Sequence, residues 1–135
     1  MITPEVWGPH LWKSIHYISL GYPKEPTQED KDNYKSFFEN LWKVIPCDKC
    51  AINYKNHLKE LPLNASDLET TTSLFYWTVH LHNIVNKEKG KKLISPKKAL
   101  SEYVNTPRNS NIALYVIITI LVLTICSLLF YIYKN

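Results

Sequence analysis

The chain of 135 residues is short of cysteine: it has three, and one of these, Cys126, sits inside an apolar stretch near the C-terminal end. A disulfide-scaffolded secreted fold is thereby excluded, since such folds staple a small core with many bridges. Cys47 and Cys50 remain as the one pair outside that stretch, and Cys126 reads most simply as a small apolar side chain, with palmitoylation as the alternative. No run of four or more residues alternates strictly between apolar and polar, so strands are not expected, and no repeat or low-complexity tract occurs. A long basic run is also missing. The 16 Lys and Arg are interleaved with 12 Asp and Glu to leave a net charge of +4, which argues against a nucleic-acid partner. The first twenty residues hold His10, Lys13, His16 and two prolines without an uninterrupted apolar run, so neither a secretory signal nor a transit peptide is expected.

What is present falls into two pieces, with the cut near residue 106. From Ile112 to Tyr133 there are 22 uncharged residues rich in Ile, Leu and Val. As a helix they would reach about 33 Å, enough to cross a bilayer core. Thr119, Thr124 and Ser127 are scattered and can bond their own helix backbone, while Tyr115, Tyr131 and Tyr133 suit interfacial aromatic belts. A C-terminal membrane anchor is the expectation. Lys91, Lys92, Lys97, Lys98 and Arg108 precede it closely and only Lys134 follows, so the positive-inside rule places the folded part on the cytosolic side, of a host-cell or virion membrane.

The rest reads as all helical. Gly8-Pro9 can open a first helix that Gly21 and Pro23 close, with Trp12 and His16 on one face. Thr27 can cap a second, with Asp30 in its first turn and Tyr34, Phe37, Phe38, Leu41, Trp42 and Ile45 as its core stripe. Pro46 interrupts that stripe and can start a third helix carrying Cys47, Cys50, Tyr54 and His57, which Pro62 ends. Ser66 with Glu69 is a capping-box signal for a long fourth helix to about Lys89, with Gly90 just past its end, and Ser95-Pro96 can open a short fifth through Tyr103. The expected architecture is a four-helix bundle with a short fifth helix over residues 1–104, a polar linker over 105–111, and the transmembrane helix over 112–133.

Two cysteines separated by two residues at a helix N-terminus lie on one side of the first turn, close enough for a disulfide to form and open. Free backbone N–H groups and the positive end of the helix dipole favour the thiolate that performs exchange. The same spacing could be half of a zinc site. His80 and His82 could complete one, although they stand one residue apart rather than the three to five of a finger and no second cysteine pair exists. A thioredoxin-like pair would need a βαβ pattern that is missing. Useful reaction of a dithiol with oxygen needs a cofactor such as a flavin or metal. The fourth helix carries Trp77, His80, His82, Asn83 and Asn86, and asparagine is a poor helix-interior residue, so these polar groups either bond something buried or form a solvated stripe.

The order and spacing of these residues resemble the Erv/ALR family of FAD-linked sulfhydryl oxidases. The match runs from Trp7 to about Tyr103: Gly8 to His16 with Trp12 between, Tyr22-Pro23, Pro46 through the Cys47/Cys50 pair to Ala51, and Trp77 through His82, Asn83 and Asn86 to Gly90-Lys91. The compact members of large DNA viruses are most similar. The resemblance implies a helical bundle gripping FAD at one end, Cys50 beside the flavin ring and Cys47 meeting the substrate. It implies flavin contacts at Gly8, Trp12, His16 and Tyr103, and along the fourth helix at His80, His82, Asn83 and Asn86, with Lys91 near the pyrophosphate. Electrons would pass from protein thiols through the cysteine pair to FAD and then to O2, giving hydrogen peroxide, with a homodimer formed through helical faces. Many relatives carry a structural disulfide at the positions of Val79 and Pro96, and a shuttle cysteine pair in a terminal extension. Without the first, packing must hold the fifth helix; without the second, thiol-containing substrate proteins must reach Cys47 directly or through a relay protein with its own CxxC pair. Gly21 stands where some relatives have an aromatic flavin contact. The rival expectations are a membrane-tethered helical adaptor with structural cysteines and a small zinc-binding module.

Overall fold

A computed structural model describes residues 3–105 and 112–134, which contain six α-helices and no strand. They are α1 (Pro4–Leu20), α2 (Gln28–Asn40), α3 (Asp48–Glu60), α4 (Thr71–Glu88), α5 (Pro96–Val104) and α6 (Ile112–Lys134), with 3₁₀ turns at Leu41–Val44 and Ala65–Leu68. The chain divides into two compact units, one ending at Val104 and one beginning at Asn105. Of the expected linker, all but Asn105 lies outside the described residues, and so does Arg108.

The first helix starts before Gly8-Pro9. Pro4, with its φ already set, takes the first helical position, and Pro9 sits inside α1, where the missing N–H leaves the Glu5 carbonyl without its usual helical donor. The second helix is capped as expected: Thr27 Oγ1 accepts from the Asp30 N–H at 3.1 Å and the Asp30 carboxylate accepts from the Thr27 N–H at 2.9 Å. Its apolar stripe does not continue as α-helix to Ile45. After Asn40 the chain tightens into a 3₁₀ turn, because Pro46 forces Ile45 into extended backbone (φ −68°, ψ 123°). Phe38 and Leu41 reach the core while Phe37 remains 39% exposed.

The fourth helix begins later than Ser66. Two capping boxes follow one another, Asn64 with Asp67 over the 3₁₀ turn and Thr70 with Ser73 over α4. Glu69, no longer a cap, pairs with Lys31 of α2 at 2.9 Å. At its other end Gly90 (φ +63°) turns the chain left-handed, so that the Lys91 N–H reaches the Asn86 carbonyl at 2.8 Å and the Gly90 N–H that of Lys87 at 3.1 Å.

α4 is the spine of the first unit. One side packs Leu74, Trp77 and Leu81 into a core with Ile15, Phe38 and Tyr54. The other packs Phe75 and Val79 against Ala99 of α5, with Ile94, Leu100 and Tyr103 around them. Two hydrogen bonds from the Asn83 side chain hold the segment before α5, one from the Ile94 N–H (2.9 Å) and one to its carbonyl (2.8 Å). Packing and these bonds therefore hold α5 where no cysteine stands at Val79 or Pro96. The second unit is α6, whose segment Leu114–Lys134 holds an 18-residue window of mean hydropathy 2.6, long and apolar enough to cross a membrane. The hydroxyls of Thr119, Thr124 and Ser127 all donate to carbonyls of their own helix.

Candidate active site

Cys47 is the N-cap of α3, with its Sγ accepting from the Cys50 N–H at 3.2 Å, and the two cysteines form a disulfide across a Cα–Cα distance of 5.2 Å. The extended backbone before the helix turns Cys47 out of the first turn while Cys50 stays within it. Both are half-buried. Whichever sulfur is released on reduction lies at the positive end of α3, where a thiolate is favoured.

Only Cys50 of the pair lines the cleft beside it, which opens between α1, α3 and the C-terminal end of α4. Positions 50, 54 and 57 are spaced by four and three along α3, so Cys50, Tyr54 and His57 form one wall. Trp7, Gly8 and Trp12 of α1 form the second, and Glu88 closes the third. Gly8 leaves its part of the wall open, as a Cβ there would meet nothing within 4 Å. Two buried ring nitrogens on these walls have no partner, Trp7 Nε1 and His57 Nδ1. A mostly apolar cleft whose walls include Trp7, Trp12 and Tyr54 suits a flat conjugated ligand.

Trp12 joins the cleft to a cluster behind it. Its ring stacks on His82 at 4.2 Å with an interplanar angle of 1°, and His82 Nδ1 lies 3.1 Å from His16 Nε2. His16 Nδ1 is 2.9 Å from the Thr78 hydroxyl, and Tyr103 meets His16 edge-on at 5.2 Å. Burial lowers the pKa of His16 to about 4, with the His82 ring adding to it. Burial lowers His82 to about 4 as well, with the charge of Lys91 contributing. Lys91, itself exposed, therefore acts on this cluster through its field. Both imidazoles are neutral at pH 7, one donating to the other. Burial likewise raises the pKa of Tyr103, followed by Tyr17 and Glu102.

The structure thus gathers Gly8, Trp12 and Cys50 at the cleft and His16, His82 and Tyr103 behind it, with Cys47 capping the helix. Asn86 is buried one turn on from His82. Asn83 spends its amide on Ile94. His80 is exposed, about 200° around the helix from His82, and is not brought to the cluster. Among the described residues no group of three or more His, Cys, Asp or Glu could hold a metal ion. Sequence reasoning assigned no site role to Trp7, Tyr54, His57 or Glu88. The spacing of Cys50, Tyr54 and His57 on one helical face was the available signal.

Comparison with known proteins gives a consistent picture. The model of the Erv1 / Alr family matches residues 9–104. A probable FAD-linked sulfhydryl oxidase of Acanthamoeba polyphaga mimivirus is 40% identical over 112 residues, covering 82% of this chain and 78% of the relative. The mitochondrial FAD-linked sulfhydryl oxidase ERV1 of Saccharomyces cerevisiae is 32% identical over 93 residues, covering 69% of this chain and 46% of the relative, so the chain spans about half of that protein. Among solved structures, the FAD binding domain of Erv1 from Saccharomyces cerevisiae superimposes with a TM-score of 0.65 at 28% identity, covering 72% of this chain and 90% of that one.

Proposed function

The chain belongs to the Erv1/Alr family, and from that premise we propose that it is an FAD-linked sulfhydryl oxidase that converts two protein thiols and O2 into a disulfide and hydrogen peroxide. The observation that carries this reading is the Cys47–Cys50 disulfide at the N-terminus of α3, with Cys50 alone of the pair lining the apolar cleft. A substrate thiolate attacks Cys47 Sγ, forms a mixed disulfide there and releases Cys50 as a thiolate held by the helix end. A second substrate thiolate then attacks the substrate sulfur of that mixed disulfide. The substrate leaves oxidised, and Cys47 and Cys50 are left as a dithiol that has gained two electrons.

FAD fits the cleft. Trp7 and Trp12 offer aromatic surface, Gly8 allows close approach, and two of the lining residues, Trp7 and His57, each carry an unpartnered ring nitrogen. When bound, FAD supplies the two-electron acceptor for the dithiol and its connection to O2. Trp12, His16, His82, Asn86 and Tyr103 hold it on the side of the histidine cluster, and Lys91 serves its phosphates. Asn83 acts by fixing the segment before α5. His80 has no place in this set.

Substrate proteins, or a CxxC relay protein, meet Cys47 at the outer side of α3. Helix α6 anchors the enzyme in a membrane, with the catalytic unit on the cytosolic side that the excess of lysines before it favours. Two copies associate through helical faces, where Phe37 of α2 leaves apolar surface exposed. The test is a visible absorbance spectrum of the full chain purified in detergent, beside Cys50→Ser. A bound flavin that dithiol bleaches without oxygen in the parent and leaves coloured in the variant is the expected result. A colourless folded protein that takes up no added FAD would return the chain to a tethered adaptor.

A further inference from the structure

His57 and Glu88 form a pair that the oxidase reaction above does not use. His57 is 4% exposed, and its Nε2 lies 2.8 Å from Glu88 Oε1, a contact that joins α3 to the end of α4. Glu88 is half-exposed, so its carboxylate remains solvated and accepts from Nε2–H. In the neutral ring, donation from Nε2 leaves Nδ1 as an acceptor with its lone pair available, and the carboxylate fixes that tautomer. Nδ1 is buried and has no partner, although His57 lines the same cleft as Cys50 and Trp12. A buried imidazole nitrogen left without a hydrogen bond opposes folding. A structural bridge between α3 and α4 would not need it, because the Glu88 contact uses only the other nitrogen.

An unpartnered acceptor on a residue that lines a cofactor cleft selects for a donor on the cofactor. The oxidised isoalloxazine ring has one N–H, at N3; N1, N5 and its two carbonyls accept, and N10 carries the side chain. We propose that His57, oriented by Glu88, is a flavin-binding residue whose Nδ1 accepts a hydrogen bond from N3–H and so sets the orientation of the ring beside Cys50. This rests on the oxidase reading and extends it to a residue pair and a cofactor atom.

The test compares FAD with 3-methyl-FAD, which lacks that one donor. Dissociation constants are measured by flavin fluorescence for the full chain in detergent micelles, for the parent, His57→Leu and Glu88→Ala. The parent should bind FAD about 10-fold more tightly than 3-methyl-FAD, the worth of one buried hydrogen bond. His57→Leu should bind both equally and weakly. Glu88→Ala, in which either nitrogen can carry the hydrogen, should discriminate less than the parent. Equal affinity of the parent for both flavins would overturn the assignment, as would discrimination retained in His57→Leu. A parent that binds neither flavin would bring down the oxidase reading itself, a result distinct from all of these.

Discussion

Mild acid should destabilise the first unit through the His16–His82 pair. Each imidazole is held to about 4 in the fold, against an ordinary value of 6.5. Between those two pH values the unfolded chain binds a proton that the folded chain refuses, so stability is intact above pH 6.5 and falls as pH drops toward 4. The unfolded chain binds a proton on each ring, and in the fold a proton on one ring would oppose a second on the other, so counting one proton for the pair gives the least effect expected. At about 1.4 kcal/mol per pH unit, that one proton removes about 3 kcal/mol across the window, a large part of the total of about 5–15 kcal/mol for such a domain. The assay is urea unfolding of the cofactor-free full chain in detergent, followed by tryptophan emission. All four tryptophans, Trp7, Trp12, Trp42 and Trp77, lie in the first unit, so α6 does not contribute. With an m-value of about 1–2 kcal/mol per molar, the midpoint should fall by at least about 2 M from about pH 7 to about pH 4. Hydrogen bonds hold the Asp30 and Glu5 carboxyls below their ordinary values, so these two act at still lower pH. A midpoint that stays put over this range would refute the burial argument for the histidines.

Replacing Asn83 with alanine breaks both bonds to Ile94 and should cost about 2 kcal/mol, read as a lower urea midpoint, with faster amide exchange confined to α5. An unchanged midpoint would mean that packing alone holds α5. Protease added to intact membranes from the cytosolic side should digest the first unit; protection of that unit would reverse the proposed orientation.

The features legible in the sequence were those decided within one or two turns. Thr27 with Asp30, the cysteine pair behind Pro46, and Gly90 as a helix stop are local choices, and each sits where its chemistry placed it. Local signals misled where two candidates competed. Gly8-Pro9 resembles a helix start, but Pro4 offers the same fixed φ five residues earlier. Ser66 with Glu69 resembles a capping box, yet Thr70 with Ser73 caps α4, and Glu69 joins Lys31. His80 was separable from His82 in advance, since two helical residues one apart point to nearly opposite sides. The pairing of His57 with Glu88 was not legible, because 31 residues and two turns of chain separate them, and only the convergence of α1, α3 and α4 makes them walls of one cleft.

The way α5 is attached has a bearing on how the enzyme could live among reductants. Phe75, Val79 and Ala99 are joined by contact and Asn83 by hydrogen bonds, so no covalent link in that half of the unit can be cut by glutathione. Cys47 and Cys50 are the only thiols of the first unit. Reduction therefore changes the working pair without loosening its scaffold, and an incoming thiol finds no third cysteine in that unit with which to form a dead-end isomer. A newly made chain can reach its final shape before any oxidant is at hand, and each catalytic cycle begins and ends on the same frame.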